Sequence, residues 1–157
     1  DEAIVSYEKA LTIDRQLGDV RGEAANLGSL ANVYKEIGQW DKALDYYQQD
    51  LNLCENIADK HAKGQALGNL GTFYHDNKQY EDAMIYHKKA LDIFQKIGSR
   101  YDEGKALWNI ADALFETNQL KEAIRLGSQS LAIFYETGNP DAAENAKMLE
   151  KWKATLK

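Results

Sequence analysis

The sequence predicts an all-α protein in which about eight helices form antiparallel pairs that stack as a solenoid. The first observation is a forty-residue repeat, seen in Ala3, Ala43, Ala83 and Ala123. The second is that signals for helix ends recur in the same register. The third is an apolar spacing of three and four residues, with no alternating pattern typical of strands. A fixed period of this kind indicates units that bury their apolar faces only by stacking.

The helix-end signals divide each repeat from the next. Three glycines and one alanine occupy equivalent positions where a helix should end: Gly18, Gly98, Gly138 and Ala58. Each is followed by a residue that can cap the next helix: Asp19, Asp59, Ser99 and Asn139. Glycine enters the left-handed region without steric cost, and short polar side chains accept hydrogen bonds from free amides. Pro140 is expected at the first position of the last helix, where it needs no N–H.

A second break divides each repeat into two helices. It lies at Gly38-Gln39-Trp40, at Lys78-Gln79-Tyr80 and at Asn118-Gln119-Leu120. Between the breaks, apolar residues such as Leu27, Leu30 and Tyr34 follow one helical stripe. The predicted helices span residues 2–17, 20–37, 40–57, 60–77, 80–97, 100–117, 120–137 and 140–156.

Small and aromatic residues at fixed spacing identify the kind of repeat. The motifs Leu70-Gly71-x-x-Tyr74 and Ala43-x-x-x-Tyr47 resemble the tetratricopeptide signature, in which small residues let helices cross closely. Other copies vary, as in Leu30-Ala31-x-x-Tyr34, Ala83-x-x-x-His87, Ile110-Ala111-x-x-Leu114 and Ala123-x-x-x-Gly127. The resemblance covers nearly the whole chain and implies a right-handed superhelix. The long period resembles the subclass of kinesin light chain and the Leu-Gly-Asn repeat adaptors. HEAT repeats match the period but not these residues.

We expect one tetratricopeptide repeat domain over residues 1–157. Residues 1–18 would be the second helix of a truncated repeat, followed by full repeats at 19–58, 59–98 and 99–138 and by a capping helix at 139–157. The sequence begins without Met inside a helix, so we expect it to be part of a longer chain. The last segment keeps an apolar stripe beside four lysines, which favours a cap with one solvated face over a basic membrane-binding helix.

Composition and motifs argue against several function classes. The net charge is −6, which disfavours nucleic acid, and no apolar run is long enough for a membrane span. The single Cys54 and the lack of Asn-x-Ser/Thr sites favour a cytoplasmic protein.

Residues 99–106 resemble a phosphate loop but lack its first glycine and its hydroxyl. We expect no catalytic residues, metal or cofactor. The spacing of His61, His75 and His87 suits no zinc site, and His87 is expected in the core.

The resemblance implies that the first helix of each pair lines a concave groove for a protein or peptide ligand. The expected groove residues are Asn32, Lys35, Gln65, Asn69, Thr72, His75, Lys105, Trp108, Asn109, Asp112 and Phe115. Asparagine both donates and accepts hydrogen bonds, so Asn32, Asn69 and Asn109 suit a peptide backbone. The alternative is that these asparagines only join neighbouring helices.

Two positions refine the groove hypothesis. Trp108 stands where other repeats have Gly28 and Gly68, so it either forms an apolar pocket with Phe115 or packs against the last helix.

The chaperone-binding subclass of the family binds a terminal carboxylate. Asn32, Asn69 and Lys105 match its clamp, but Gly28 and Asn109 replace two basic residues, which argues against that ligand.

The sequence therefore predicts a non-catalytic adaptor that binds a partner's peptide as part of a larger scaffold or sensor. One alternative is a homo-oligomer formed through the terminal helices, because an apolar edge is expected at Ala3, Ile4, Tyr7 and Leu11. A second alternative is that the repeats regulate an attached enzyme, such as a nucleotide-driven switch or a protease.

Overall fold

A computed structural model describes residues 2–156 and contains eight α-helices and no strand in that range. The helices are α1 (Glu2–Leu17), α2 (Val20–Glu36), α3 (Trp40–Asn56), α4 (Lys60–Asp76), α5 (Tyr80–Ile97), α6 (Arg100–Glu116), α7 (Leu120–Thr137) and α8 (Ala142–Thr155). The first seven match the predicted bounds to within one residue. The predicted all-α right-handed solenoid is confirmed.

The helices pack as three successive pairs with one helix added at each end. The first pair is α2–α3, the second is α4–α5 and the third is α6–α7; α1 packs against α2 and α8 against α7. The first helices also contact each other in order, α2 with α4 and α4 with α6. They therefore form one wall of the solenoid, and the second helices lie behind it.

The helix ends follow the predicted chemistry with two exceptions. Gly18 and Ala58 adopt left-handed backbone with φ of 68° and 53°, as the repeated stop signal requires. Asp19 and Asp59 each accept a hydrogen bond from an amide of the following helix at 3.0 Å. Ser99 differs, because its hydroxyl donates to the Asp102 carboxylate instead of accepting from the backbone.

The start of the last helix is the second exception. The prediction that Pro140 is the first residue of α8 is wrong, because that helix begins at Ala142. Asn139 closes a turn here by accepting a hydrogen bond from the Asp141 amide at 2.8 Å. This bond favours a tight turn at the proline before the helix begins.

Side chains facing each other inside the three pairs compensate in size. The first pair places Ala24 near Cys54, whereas the second places Gly64 against Phe94. A Cβ on Gly64 would lie 2.6 Å from the Phe94 ring. In the third pair, Gly104 packs against Phe134 in the same way. Cys54 is buried as expected, and burial raises the pKa of its thiol to about 12.

The last helix fills a gap in the third pair. A Cβ on Gly127, which replaces the family's aromatic residue, would lie 3.1 Å from both Leu149 and Trp152. Trp152 also stacks on Trp108 and on Phe115, with ring centroids 5.0 Å apart in each case. The missing aromatic of α7 is thus replaced by aromatic packing from α6 and α8.

The apolar side chains that α1 exposes differ from those predicted. Leu11 is buried, and Ile4 and Tyr7 pack against the core formed around α2 and α3. The large apolar side chains that α1 exposes include Val5 and Leu17. Ala3 is exposed as predicted, whereas Ile4, Tyr7 and Leu11 turn inward because the first pair supplies a partner for them.

Candidate functional site

The wall formed by α2, α4 and α6 contains two clefts. The first cleft lies between α2 and α4, has a volume of about 350 Å³, and includes Asp50 and Cys54 of α3 in its lining. The second cleft lies between α4 and α6, has a volume of about 320 Å³, and includes His87 and Ala90 of α5. Both clefts are thus bounded by first helices and floored by second helices.

The three predicted asparagines have different surroundings. The side-chain oxygen of Asn32 accepts a hydrogen bond from the Tyr47 hydroxyl, so Asn32 ties α2 to α3. Asn69 is half-buried and lines both clefts, while Asn109 is half-buried and lines the second. Within residues 2–156, neither the Asn69 nor the Asn109 amide group is engaged in a hydrogen bond. Their donors and acceptors are available to a ligand in the clefts.

Three further predicted residues lie at the second cleft. Gln65 and Lys105 are exposed at its edge, and the Lys105 ammonium lies 5.7 Å from the centre of the Tyr101 ring. The Thr72 hydroxyl donates to the carbonyl of Gly68 in its own helix. These side chains add polar contacts beside the two asparagines.

Lys35 and His75 each lie beside a carboxylate of the next first helix. The Lys35 ammonium lies 2.6 Å from the Asp76 carboxylate, which links α2 to α4. His75 Nε2 lies 3.2 Å from Asp112 Oδ2, which links α4 to α6, although the ring N–H is poorly aligned for a hydrogen bond. The Asp112 carboxylate raises the pKa of His75. These contacts join successive repeats along one edge of the wall.

A second row of such contacts, which is not among the sequence predictions, lies at the other edge of the wall. Arg21 lies 3.1 Å from Asp59, and His61 lies 2.9 Å from Asp102. Arg21 and His61 are one repeat apart, as are Lys35 and His75. Basic side chains that recur one period apart are the sequence signal for both rows.

Trp108 and Phe115 line neither of these two clefts. Trp108 is only 9% exposed, and both rings stack on Trp152 of α8. The structure therefore favours the alternative in which Trp108 packs against the last helix. The reason is that Gly127 leaves room beneath α8, and the large rings fill it.

The geometry also bears on the chaperone clamp. A Cβ placed on Gly28, where the clamp needs lysine, would lie 3.2 Å from the Asp50 carboxylate. A buried acid at this point repels the terminal carboxylate that such a clamp binds. The clamp therefore lacks a cation here and has an anion instead.

Two buried polar residues at the cleft floors differ from the apolar pattern of the fold. His87 is 1% exposed, as expected for its core position, and burial lowers its pKa to about 4. Asp50 is 5% exposed, and burial raises its pKa to about 6. Asp50 is not among the predicted site residues, although an acid within the apolar stripe of Ala43, Tyr47 and Cys54 is a visible signal in the sequence.

Comparison with known families gives the same assignment as the fold. The tetratricopeptide repeat model matches residues 1–56 and 63–136, which is most of the chain. The chain belongs to the tetratricopeptide repeat family. A search of curated proteins by sequence finds no match.

Several solved structures share the fold of this chain. BtubC from P. vanneervenii is 16% identical with a TM-score of 0.88, over 99% of this chain and 66% of its own. A signal transduction ATPase from Pyrococcus horikoshii with a tetratricopeptide repeat sensor is 25% identical with a TM-score of 0.83; the match covers 99% of this chain and 24% of the ATPase. A Rap protein in complex with competence and sporulation factor is 19% identical with a TM-score of 0.79; the match covers 99% of this chain and 44% of the Rap protein.

The chain thus spans about two thirds of the first of these proteins and less than half of the other two. In the part of the chain that the structure describes, no helix combines the length and the apolar character needed to cross a membrane. Residues 2–156 also contain no group of three or more His, Cys, Asp or Glu side chains arranged to hold a metal ion.

Proposed function

We propose that this domain is a non-catalytic interaction module that binds an extended peptide segment of a partner protein along the two clefts. The observation that carries the proposal is the position of Asn69, whose unengaged amide lies between the first and second clefts. A side chain there hydrogen-bonds to a peptide backbone whatever the peptide's sequence. Asn109 extends the same chemistry into the second cleft.

Family membership supports an interaction role, since tetratricopeptide repeat proteins are generally interaction modules. Two similar structures are consistent with binding by this fold, one described as a sensor and one holding a bound factor. We place the domain in a larger cytoplasmic scaffold or sensor protein, with repeats at 19–58, 59–98 and 99–138. Regulation of an attached enzyme remains a prediction.

The test is selection of peptides from a random phage-displayed library on this chain, followed by affinity measurement with fluorescent synthetic copies. We expect Asn69→Ala and Asn109→Ala each to weaken binding by about tenfold, since each removes hydrogen bonds to the peptide backbone. Asn52→Ala is the matched control, because Asn52 is exposed on α3, outside the residues that line the clefts. Circular dichroism checks that each variant keeps its fold.

The proposal is contradicted if the selected peptides bind Asn69→Ala, Asn109→Ala and the wild type with the same affinity. If both variants also have a lower melting temperature, the asparagines serve only to join helices.

A further inference from the structure

The first cleft contains a buried carboxylate with one oxygen left without a partner. Oδ1 of Asp50 accepts a hydrogen bond from the Cys54 thiol at 3.3 Å. Oδ2 borders the space that Gly28 leaves open, 3.2 Å from where a Cβ would stand. Among residues 2–156, no donor bonds to this oxygen and no cationic group lies within 4 Å of it. An anion this deeply buried is costly unless something pairs with it.

The fold itself does not require an acid at this position. The residues one and two periods later are Ala90 and Ser130. Ala90 is buried without polar atoms, and the Ser130 hydroxyl donates to the carbonyl of Gly104 at 2.7 Å. Of the three equivalent side chains, Asp50 alone keeps an unmatched charge. Perturbed ionisable groups in clefts often mark functional sites.

The remaining charges around the first cleft leave its interior negative. Arg21 and His61 also line this cleft, but they are paired with Asp59 and Asp102 respectively. The Asn69 amide nitrogen lies 3.8 Å from the same Gly28 Cβ position, so this donor borders the space beside Asp50, where it can bond to a peptide carbonyl but not to a cation.

The walls of the cleft suit an aliphatic chain. Ala24, Ala25, Gly28, Ala62 and Ala66 line it and have small side chains. The volume of about 350 Å³ leaves room for a long side chain to enter. Lysine and arginine combine an apolar stem with a cationic end, which matches small apolar walls above a buried acid.

We propose that the first cleft receives a lysine or arginine side chain of the bound peptide, with its cationic end on Oδ2 of Asp50. This inference rests on the proposed function, because it names the chemistry of one residue of the same ligand. The Asp50 carboxylate then supplies specificity, while the asparagines hold the peptide backbone. A charge-assisted hydrogen bond of this kind is among the stronger ones in proteins.

The experiment uses the random phage-displayed peptide library on three forms of the chain. These are the wild type, Asp50→Asn, which keeps the side-chain shape, and Asp92→Asn, which removes the same charge at the exposed Asp92 of α5. We expect lysine or arginine to be enriched at one position of the peptides selected by the wild type and by Asp92→Asn. We expect no such enrichment with Asp50→Asn.

A double-mutant cycle then measures the contact directly. The enriched lysine is replaced by norleucine, or the arginine by citrulline, in a synthetic peptide. With the wild type we expect affinity to fall at least about tenfold, and with Asp50→Asn we expect almost no change. Circular dichroism confirms that both variants are folded.

The outcomes separate this inference from the proposed function. Peptides that depend on Asn69 but show no basic preference, or a basic preference that Asp50→Asn retains, overturn the inference and leave the groove proposal standing. Peptides whose affinity is unchanged by Asn69→Ala, Asn109→Ala and Asp50→Asn overturn both proposals.

Discussion

The first and third helix pairs share one backbone plan but use the inner wall in different ways. At equivalent positions the first pair has Gly28 and Asp50, and the third has Trp108 and Ser130. The first therefore leaves an open cleft above a carboxylate, whereas in the third the aromatic ring packs against α8. A few side chains decide whether the same wall leaves an open cleft or packs against another helix.

The features that the pairs share are those that hold a pair together. Tyr34 stacks on Tyr46 at 5.3 Å, and one period later Tyr74 stacks on Tyr86 at 5.1 Å. The equivalent residues of the third pair are Leu114 and, beneath it, Leu126. Stabilising contacts are thus repeated or replaced by apolar residues, while positions on the inner wall can change in character, as Gly28 and Trp108 do.

The largest effect in this comparison is expected from Trp152→Ala. Trp152 is buried between Trp108 and Phe115, so its loss should cost about 3 to 5 kcal/mol. Urea unfolding followed by circular dichroism measures the free energy of unfolding. Leu156→Ala, at an exposed position of the same segment, should change it by less than about 0.5 kcal/mol. Similar small losses for both variants would show that α8 does not stabilise the third pair.

A smaller effect, which depends on pH, is expected from Asp50→Asn in the first pair. The pKa of Asp50 is raised by burial from 3.8 to about 6, so the folded state binds this proton more tightly than the unfolded state. The ionised carboxylate therefore destabilises the fold above about pH 6, and this cost disappears as the pH falls towards 4. We expect Asp50→Asn to be more stable than the wild type by about 3 kcal/mol at pH 7 and equally stable near pH 4.

Urea unfolding of both chains over a series of pH values tests this expectation. His87, whose pKa is lowered to about 4, is present in both chains, so its contribution largely cancels in the difference. A stability difference that stays constant with pH would show that Asp50 is not the group that titrates.

The smallest effect is expected at the end of the first pair. Ala58 has a φ of 53°, whereas the equivalent residue of the second pair is Gly98 with a φ of 72°. Ala58→Gly should stabilise the chain by about 1 kcal/mol, and Gly98→Ala should destabilise it by a similar amount. Thermal unfolding should shift by about 2 to 4 °C in opposite directions. Shifts of the same sign would contradict the equivalence of the two helix ends.

Much of the fold was predictable because it depends on local chemistry repeated in register. Helix ends at Gly18 and Gly98 and caps at Asp19 and Asp59 depend on their immediate neighbours, so the sequence predicts them correctly. The site was predictable only in part. Asn69 and Asn109 lie at the clefts as expected, whereas Lys35 and His75 are engaged with acids of the next repeat. Those acids are distant in sequence, and a pattern read along one helix does not show them.

The sequence alone determined the number of helices, the boundaries of the first seven and the family, because helical periodicity, capping and a forty-residue repeat are properties of neighbouring residues. Only the tertiary structure decided that Trp108 packs on α8 and that Asp50 faces an open cleft. Both outcomes depend on space left by a glycine, Gly127 in one case and Gly28 in the other. The size of such a space is set by helices far apart in the chain, and it exists only once they are packed.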